Sequence, residues 1–399
     1  MRILYLADVR FPLERANGIQ TMETCHALAA RGHSISLAVR PDTHNPKRDP
    51  FTFYGLPRLE TLHLEVVPVT GPPTWRRVGY VAFAVGRAMG RVRQDVIFTR
   101  DLGVAFALAR LPRLVRGPLV YEAHTIAADE AAARHSMLTG SPDASPAKLR
   151  RLEARDADVW RRADGYVTIT HGLKAELERR LGGRTNVAVV PDGTRLSADR
   201  AQCADAEHEG NSGTPEPFTI GYAGHLYPWK GVDLIIEAVA ALPDTRALII
   251  GGHEREQDLG RVKALAARLD CASRVTFTGQ LPPPEVAARL CEADVLVLPN
   301  PASAVSSAFT SPLKLFEYMA AGRPIVASDL ASIREVLSDE RNALLMAPGS
   351  PQSLTGAIRR LKDDRALGRR LANQALNDVA EYTWAKRAER LEGLFGALA

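Results

Sequence analysis

The segment TSPLKLFEYMAAGRPIVAS, Thr310 to Ser328, has residue types suited to capturing a diphosphate. Ser311 followed by Pro312 reads as a helix start, where the first N–H groups have no partner inside the helix. Aligned N–H dipoles at such an end attract a diphosphate. Glu317 lies about a turn and a half further in, placed to accept hydrogen bonds from hydroxyls such as those of a ribose. Gly322 then ends the helix before the next strand. An ordinary strand–helix loop carrying a surface glutamate has the same appearance, so both readings stand open on these residues alone. Two further positions invite chemistry. Lys230 follows a strand and turn in GHLYPWKG, where a lone lysine is ordinarily just solvated. His124 closes LVYEAH at a strand's carboxyl end, where a core or capping histidine is the competing reading.

The elements that must position these residues alternate along almost the whole chain. ILYLAD from Ile3, SISLAV from Ser34, LHLEVVPV from Leu62, DVIFT, LVYEAH, GYVTIT and VAVVPDG from Val187 predict strands. Helices are predicted between them, among others over Gln20–Arg31 and near Val78–Arg93. Alternating β and α units with apolar, β-branched strands mean a parallel sheet covered on both faces. From Leu196 to Pro217 the pattern gives way to polar, small and proline-bearing residues, which read as a linker. The alternation then restarts with FTIGYAG, RALIIGG, RVTFTG, DVLVLP and PIVAS as strands. Helices are predicted from Val232, up to Leu269, up to Cys291, near Pro312–Ala321 and around Ile333. The expected organisation is a domain over 1–195, a linker over 196–217 and a domain over 218–382. A final helix of about 383–399 is expected to pack back on the first domain.

Composition narrows the class. With 399 residues, 46% hydrophobic and 24% charged, the chain is too long for one comfortable core and too apolar to be disordered. No stretch approaches the roughly 18 uninterrupted apolar residues of a spanning helix; the best, Val81 to Met89, is cut by Arg87. MRILYLADVR is too short for a signal peptide and reads as a first strand, so a cytoplasmic protein is expected, peripheral at most at the inner face of a membrane. Cys25, Cys203, Cys271 and Cys291 show no CxxC spacing; reduced thiols and no metal site are expected. Through Arg195 there are 29 basic against 20 acidic residues, and beyond it 22 against 26. The basic half suits an anionic partner such as a phospholipid surface or a phosphorylated acceptor, with a solvated Arg-rich surface as the plain alternative. The predicted 78–93 helix puts Val78, Val81, Val85 and Val92 on one side among arginines 76, 77, 87, 91 and 93. It reads as a core-packed helix, with docking on anionic lipid as the functional alternative. No aromatic–basic interleaving or finger motif speaks for nucleic acid.

The Thr310–Ser328 segment, GYAGHLYPWKGVDLIIEA at Gly221–Ala238, and the stretch between them together resemble glycosyltransferase family four. The likeness is dense from Phe218 to about Pro348 and thinner before Arg195. It implies the GT-B fold: two Rossmann-like, doubly wound parallel-sheet α/β domains facing a central cleft. It further implies retaining transfer from a nucleoside-diphosphate sugar without a metal ion, the UDP- or GDP-sugar being a co-substrate and no cofactor being needed.

Carried over by position, Glu317 matches the second glutamate of the family's paired-glutamate motif, which holds the donor ribose. Eight positions earlier the family has another glutamate and this chain has Phe309. That loop, with Thr310, meets the donor sugar in the family, so the substitution bears on which sugar is used. Ser311, Pro312 and Leu313 fall where the family's backbone meets the diphosphate, and Lys314 adds a charge to the same region. Lys230 matches the lysine that neutralises the diphosphate, while His225 stands where the family usually carries Arg. A departing diphosphate needs its growing charge stabilised, and a lysine is a point charge suited to that. Asn17-Gly18-Ile19-Gln20 resembles the family's glycine-containing loop, in which Gly18 lets the chain approach the donor phosphate or the acceptor. His124 takes the position of the family's active-site histidine, and Pro191-Asp192-Gly193 that of a structural PNG turn with Asp192 for Asn. His124, Lys230 and Glu317 are thus the expected catalytic set.

The expected function is sugar transfer to an acceptor hydroxyl in glycan, glycolipid or glycoconjugate biosynthesis. The acceptor stays open, lipid-linked or anionic molecules included. Phe309 and His225 motivate a second reading, a catalytically silent nucleotide-sugar-binding subunit. A nicotinamide-dependent dehydrogenase, the third, is opposed by the missing GxGxxG after Leu6.

Overall fold

In a computed structural model of the chain, residues 1–139, 145–196, 217–253, 257–302 and 313–398 are described, the side chains of 134–139 excepted. The expected linker therefore lies almost wholly outside them. The described residues divide into two compact units. One is formed by Met1–Gly193 with the segment from Trp384, the other by the chain between.

The first unit is built on a sheet in the order β3-β2-β1-β4-β5-β6-β7. Its strands are β1 Arg2–Arg10, β2 Ser34–Arg40, β3 Leu62–Val66, β4 Val96–Thr99, β5 Leu119–Ala123, β6 Gly165–Thr168 and β7 Val187–Val189. Every pairing is parallel. Strands β4, β5 and β6 are buried at every residue, as expected where helices cover both faces. The order turns back between β1 and β4, the place where doubly wound sheets bind ligands beyond the strands' carboxyl ends.

The Trp384–Gly396 helix completes this unit. Ala388, Leu391, Leu394, Phe395 and Leu398 join the core formed by Ile3, Tyr5, Leu37 and Phe98. The Phe395 ring meets Phe98 edge-on at 5.4 Å, an arrangement aromatic quadrupoles favour. Glu392 on the same helix accepts from Arg31 Nε at 2.8 Å and faces His33 at 2.9 Å.

The second unit carries a parallel sheet in the order β10-β9-β8-β11-β12-β13. Its strands are β8 Phe218–Ala223, β9 Thr245–Ile250, β10 Val275–Phe277, β11 Val295–Leu298, β12 Ile325–Ser328 and β13 Leu344–Met346. Side chains alternate across it: Val295 and Val297 enter one core while Leu296 and Leu298 enter the other. The sheet turns back between β8 and β11. The helix after the donor-loop segment runs Leu313–Ala320, and Gly322, at φ +63°, closes it.

Two expectations need correction. The helix placed near Val78–Arg93 runs Pro73–Ala88, because Pro72 and Pro73 start it a turn earlier. Its buried face is Tyr80, Ala84 and Ala88, whereas Val78 is 55% exposed and Val92, beyond the helix, 58%. Tyr80 wins the inner face because its ring fills space under the sheet and its hydroxyl donates to the Ala38 carbonyl at 2.7 Å. Val78 and Val92 therefore do not pack a core, while Val81 and Val85 are half-buried. Among the cysteines, Cys25 and Cys271 are free and buried, while Cys291 is disulfide-bonded, which departs from the expectation of reduced thiols throughout. Strand β13 and the helices Pro351–Asp363 and Arg365–Asp378 were not anticipated, although Ser350-Pro351 and Asp364 are capping signals.

Candidate functional site

In the second unit, chemistry gathers beyond the carboxyl end of β8. The chain leaves Ala223 through Gly224, turns over Pro228–Lys230 as one short 3-10 helix, and enters the Val232–Ala241 helix through Gly231. Gly231 has φ +73°, and a Cβ there would lie 1.9 Å from the Pro299 carbonyl oxygen, so only glycine fits. That contact ties the lysine-bearing turn to the segment following β11. The Leu313–Ala320 helix supplies the other wall. Tyr318 Oη accepts from the Ala223 N–H at 2.7 Å, and Lys314 Nζ donates to Tyr222 Oη at 2.9 Å. Tyr222 in turn donates to the His225 carbonyl at 2.7 Å, so one relay joins helix, strand and loop.

The electrostatics of this corner are one-sided. Burial pushes the Lys230 ammonium below its ordinary pKa. Lys314 is pushed down further, first by burial and then by repulsion from Lys230, with Glu317 one turn along the helix opposing the shift. Lys314 also lies in the first turn of its helix, where a cation opposes the helix dipole and no acidic residue offsets it. Among the described residues, neither lysine is in a salt bridge with a carboxylate. Two half-buried cations that repel each other, one of them in the first turn of a helix, are a poor arrangement without an anion and a good one with it. On the loop itself the rings of His225, Tyr227 and Trp229 stack in sequence at 5.0 and 4.6 Å. Leu313 is buried and Glu317 half-buried. Phe309, Thr310, Ser311 and Pro312 lie outside the described residues.

In the first unit, His124 follows β5 with its side chain 19% exposed. Its Nε2 is 2.6 Å from Glu122 Oε1, and the same oxygen accepts from Gln20 at 2.6 Å and Arg387 at 2.7 Å. Arg100 donates to Gln20 Oε1 at 2.7 Å, and the buried Asp192 carboxylate faces Arg387 at 3.9 Å. Burial alone would raise the Glu122 carboxyl, but Arg387, His124 and Arg100 together hold it far below the usual carboxylate range. His124 is lowered, by burial and then by Arg100. Asp192 is raised by burial. Sequence reasoning found His124, named Gln20 and Asp192 only as parts of loops, and missed Glu122, Arg100 and Arg387. The signal for Glu122 was present, a charged residue inside an apolar strand; Arg387 lies 265 positions away and has no local signature. Gly18 lies in the Ala16–Ala30 helix, and a Cβ there would meet the Leu13 carbonyl oxygen at 2.3 Å and Tyr54 Oη at 2.5 Å. Internal packing is thus a sufficient reason for glycine at that position. Among the described residues no group of three or more His, Cys, Asp or Glu could hold a metal ion, and no helix is long and apolar enough to cross a membrane.

Comparison with known proteins bears on both units. Residues 18–193 match the glycosyl transferase 4-like domain, and residues 217–364 match the glycosyl transferases group 1. The chain belongs to this glycosyltransferase family. A D-inositol 3-phosphate glycosyltransferase of Nocardia farcinica is 29% identical over 286 residues, covering 69% of this chain and 60% of that protein. A 2-deoxystreptamine glucosyltransferase of Streptomyces kanamyceticus is 31% identical over 216 residues, 52% of this chain and 53% of that one. The chain thus spans only between 53% and 60% of the length of these two relatives. Solved GT-B glycosyltransferases share the fold. A sucrose-phosphate synthase of Thermosynechococcus elongatus superposes with a TM-score of 0.77 at 20% identity, over 100% of this chain and 98% of that one. Anabaena HepE, solved with UDP and glucose, gives 0.72 at 19% identity over the whole of both chains.

Proposed function

We propose that this family member transfers a sugar from a nucleoside-diphosphate sugar to an acceptor hydroxyl with retention at the anomeric carbon. The observation that carries the reading is the pair of half-buried lysines, Lys230 and Lys314, close enough to repel each other beyond β8, with Lys314 in the first turn of its helix. A diphosphate there would take up both charges, and as the sugar–oxygen bond breaks the same cations would hold the growing charge of the leaving group. Glu317 would receive the ribose hydroxyls and His124 a hydroxyl of the donor sugar. No protein nucleophile is assigned; the acceptor attacks the face the diphosphate leaves, and the leaving phosphate takes its proton. No metal or cofactor is required by this scheme. HepE is a structural neighbour solved with UDP, and uridine is accordingly the first base to try.

The direct test is calorimetry and thermal shift with uridine, guanosine, adenosine and thymidine diphosphates, each with and without magnesium. Selective binding of one without metal is expected. Binding of none would sink the proposal. A second reading, a nucleotide-sugar-binding subunit without turnover, is favoured by His225 in place of the family's arginine. Binding of donor with neither transfer nor slow hydrolysis would establish it.

Peripheral contact with anionic lipid belongs to the same proposal. Trp75 and Val78 on the Pro73–Ala88 helix are 71% and 55% exposed, and Met89, Val92 and Leu114 continue the apolar surface beside Arg91 and Arg93. Arg93 donates to the Leu114 carbonyl at 3.0 Å, which holds Val92 and Leu114 in one patch. Apolar side chains ringed by arginine match an anionic interface.

A further inference from the structure

The His124 environment contains a buried arginine that the transfer chemistry does not use. Arg387 is 1% exposed and spends its donors on four sides. Nε reaches Thr24 Oγ1 at 2.9 Å, Nη1 the carbonyls of Val190 and Pro191 at 2.8 and 2.9 Å, and Nη2 Glu122 Oε1 at 2.7 Å. A buried ion pair is a weak device for stability, because desolvation consumes most of the attraction. Its geometry suggests another use. Glu122 Oε1 receives Gln20, Arg387 and His124 together.

We propose that Arg387 is a positioning residue for His124: carried in on the Trp384–Gly396 helix, it occupies Glu122 so that this carboxylate accepts the hydrogen bond of His124 Nε2–H and leaves Nδ1 as a bare acceptor. An ionised carboxylate only accepts, so the imidazole nitrogen beside it must carry the hydrogen. A neutral imidazole has one hydrogen, which leaves Nδ1 with a lone pair. Such a nitrogen takes a hydroxyl hydrogen and repels a phosphate oxygen. His124 is thereby fitted to a sugar hydroxyl rather than to the diphosphate. Without Arg387, Glu122 would be a buried anion with too little compensation, and it would draw a second proton onto His124. Both nitrogens would then donate, and the acceptor would be lost. The groups around the Glu122–His124 pair come from five parts of the chain. They are Glu122 on its own strand, the Gln20 amide on the Ala16–Ala30 helix, Arg100 after β4, Asp192 after β7 and Arg387 on the Trp384–Gly396 helix. Burial and Arg100 hold His124 below its ordinary pKa in this setting.

The inference rests on reading His124 as the sugar-facing histidine, but its test concerns the imidazole itself and needs no substrate. The full chain, labelled with 15N-histidine, is titrated by long-range 1H–15N spectroscopy, with His124 assigned by its loss in His124→Gln. Wild type is expected to show the Nε2–H tautomer and a midpoint below that of a free imidazole. Arg387→Met raises the midpoint by about one to two pH units, and Glu122→Gln lowers it. Arg387→Lys returns it towards wild type, although both Arg387 substitutions lower the melting temperature. Arg387→Gln removes the charge with less loss of volume and is expected to raise the midpoint as Arg387→Met does. A folded Met or Gln variant with an unmoved His124 midpoint would show Arg387 to be merely structural. A wild-type proton on Nδ1 would overturn the inference outright.

Discussion

Replacing Lys314 by Met separates two effects of one half-buried cation. In the free protein its ammonium is desolvated and repelled by Lys230, which holds its pKa well below the usual lysine value. When the folded pKa is below the unfolded one, folding disfavours the charged form. The penalty is whole below the folded pKa and fades as pH rises towards the unfolded value of about 10.4. Lys314→Met removes that penalty. It also gives up the hydrogen bond to Tyr222 and the contact with its ring, 4.2 Å from Nζ to the centroid, together about 1–3 kcal/mol. These terms oppose, so the free variant should melt within about 4 °C of wild type. UDP changes the outcome. One charge-assisted bond to phosphate contributes about 1.5–3 kcal/mol, so its loss weakens binding about 10- to 150-fold. At UDP about 100 times the wild-type Kd, binding stabilises the protein by about 2.7 kcal/mol. A variant binding roughly 30-fold more weakly keeps about 0.9 kcal/mol under the same conditions. Scanning fluorimetry should therefore find a wild-type shift of about 5–11 °C reduced to about 2–3 °C. Calorimetry in buffers of different ionisation enthalpy, repeated over a series of alkaline pH values, should find that wild type takes up more protons with UDP than the variant does. A Lys314→Met protein that keeps the full UDP shift would refute the anion-site reasoning.

Further outcomes follow from the same geometry. Lys230→Ala should lower turnover of the donor by about 30- to 800-fold, equivalent to about 2–4 kcal/mol of transition-state stabilisation, and wild-type turnover would remove its assigned role. Asp156 accepts from the Ala127 N–H at 2.9 Å, and burial pushes its carboxyl up to about 7. With the folded pKa raised, its contribution is whole below the unfolded value of about 3.9 and declines as pH climbs to about 7, by up to about 4 kcal/mol. Asp156→Asn should accordingly shift the urea midpoint upward at pH 8 and little at pH 4, and equal shifts at both would contradict the assignment. Trp75→Ser combined with Val92→Ser should cut co-sedimentation with phosphatidylserine-containing vesicles several-fold at low salt; equal pelleting of both proteins would exclude this patch as the contact.

The sheets were legible because several of their inner strands are fully buried and so announce themselves as apolar runs; VIFT and VLVL leave little else to choose. Helix register was less legible. The arginine-flanked valines around Val78 mimic an inner face, but a tyrosine with a hydroxyl partner and two alanines fit closer under the sheet. At the candidate site, single residues at strand ends could be picked out, since the topology sends every strand's carboxyl end to the same edge. Their supporting partners could not. Gln20, Glu122 and Arg387 meet across 102 and 265 positions, and no local periodicity records such a meeting. Even Lys314, whose position was noted, owes its character to Tyr222 and Lys230, which only the fold brings near.

The Trp384–Gly396 helix has a consequence for the order in which the molecule is made. On the ribosome residues 1–193 emerge with Phe98 lacking Phe395, its ring partner, and with their core lacking Leu391. The second unit is synthesised whole in between and can close while the first still waits for its last helix. The opening unit is thus the last to be finished, and a chaperone that guards apolar surface has reason to stay with it throughout. A stop codon after Thr383 would spare every strand of both sheets, yet its damage would fall on the unit translated earlier of the two.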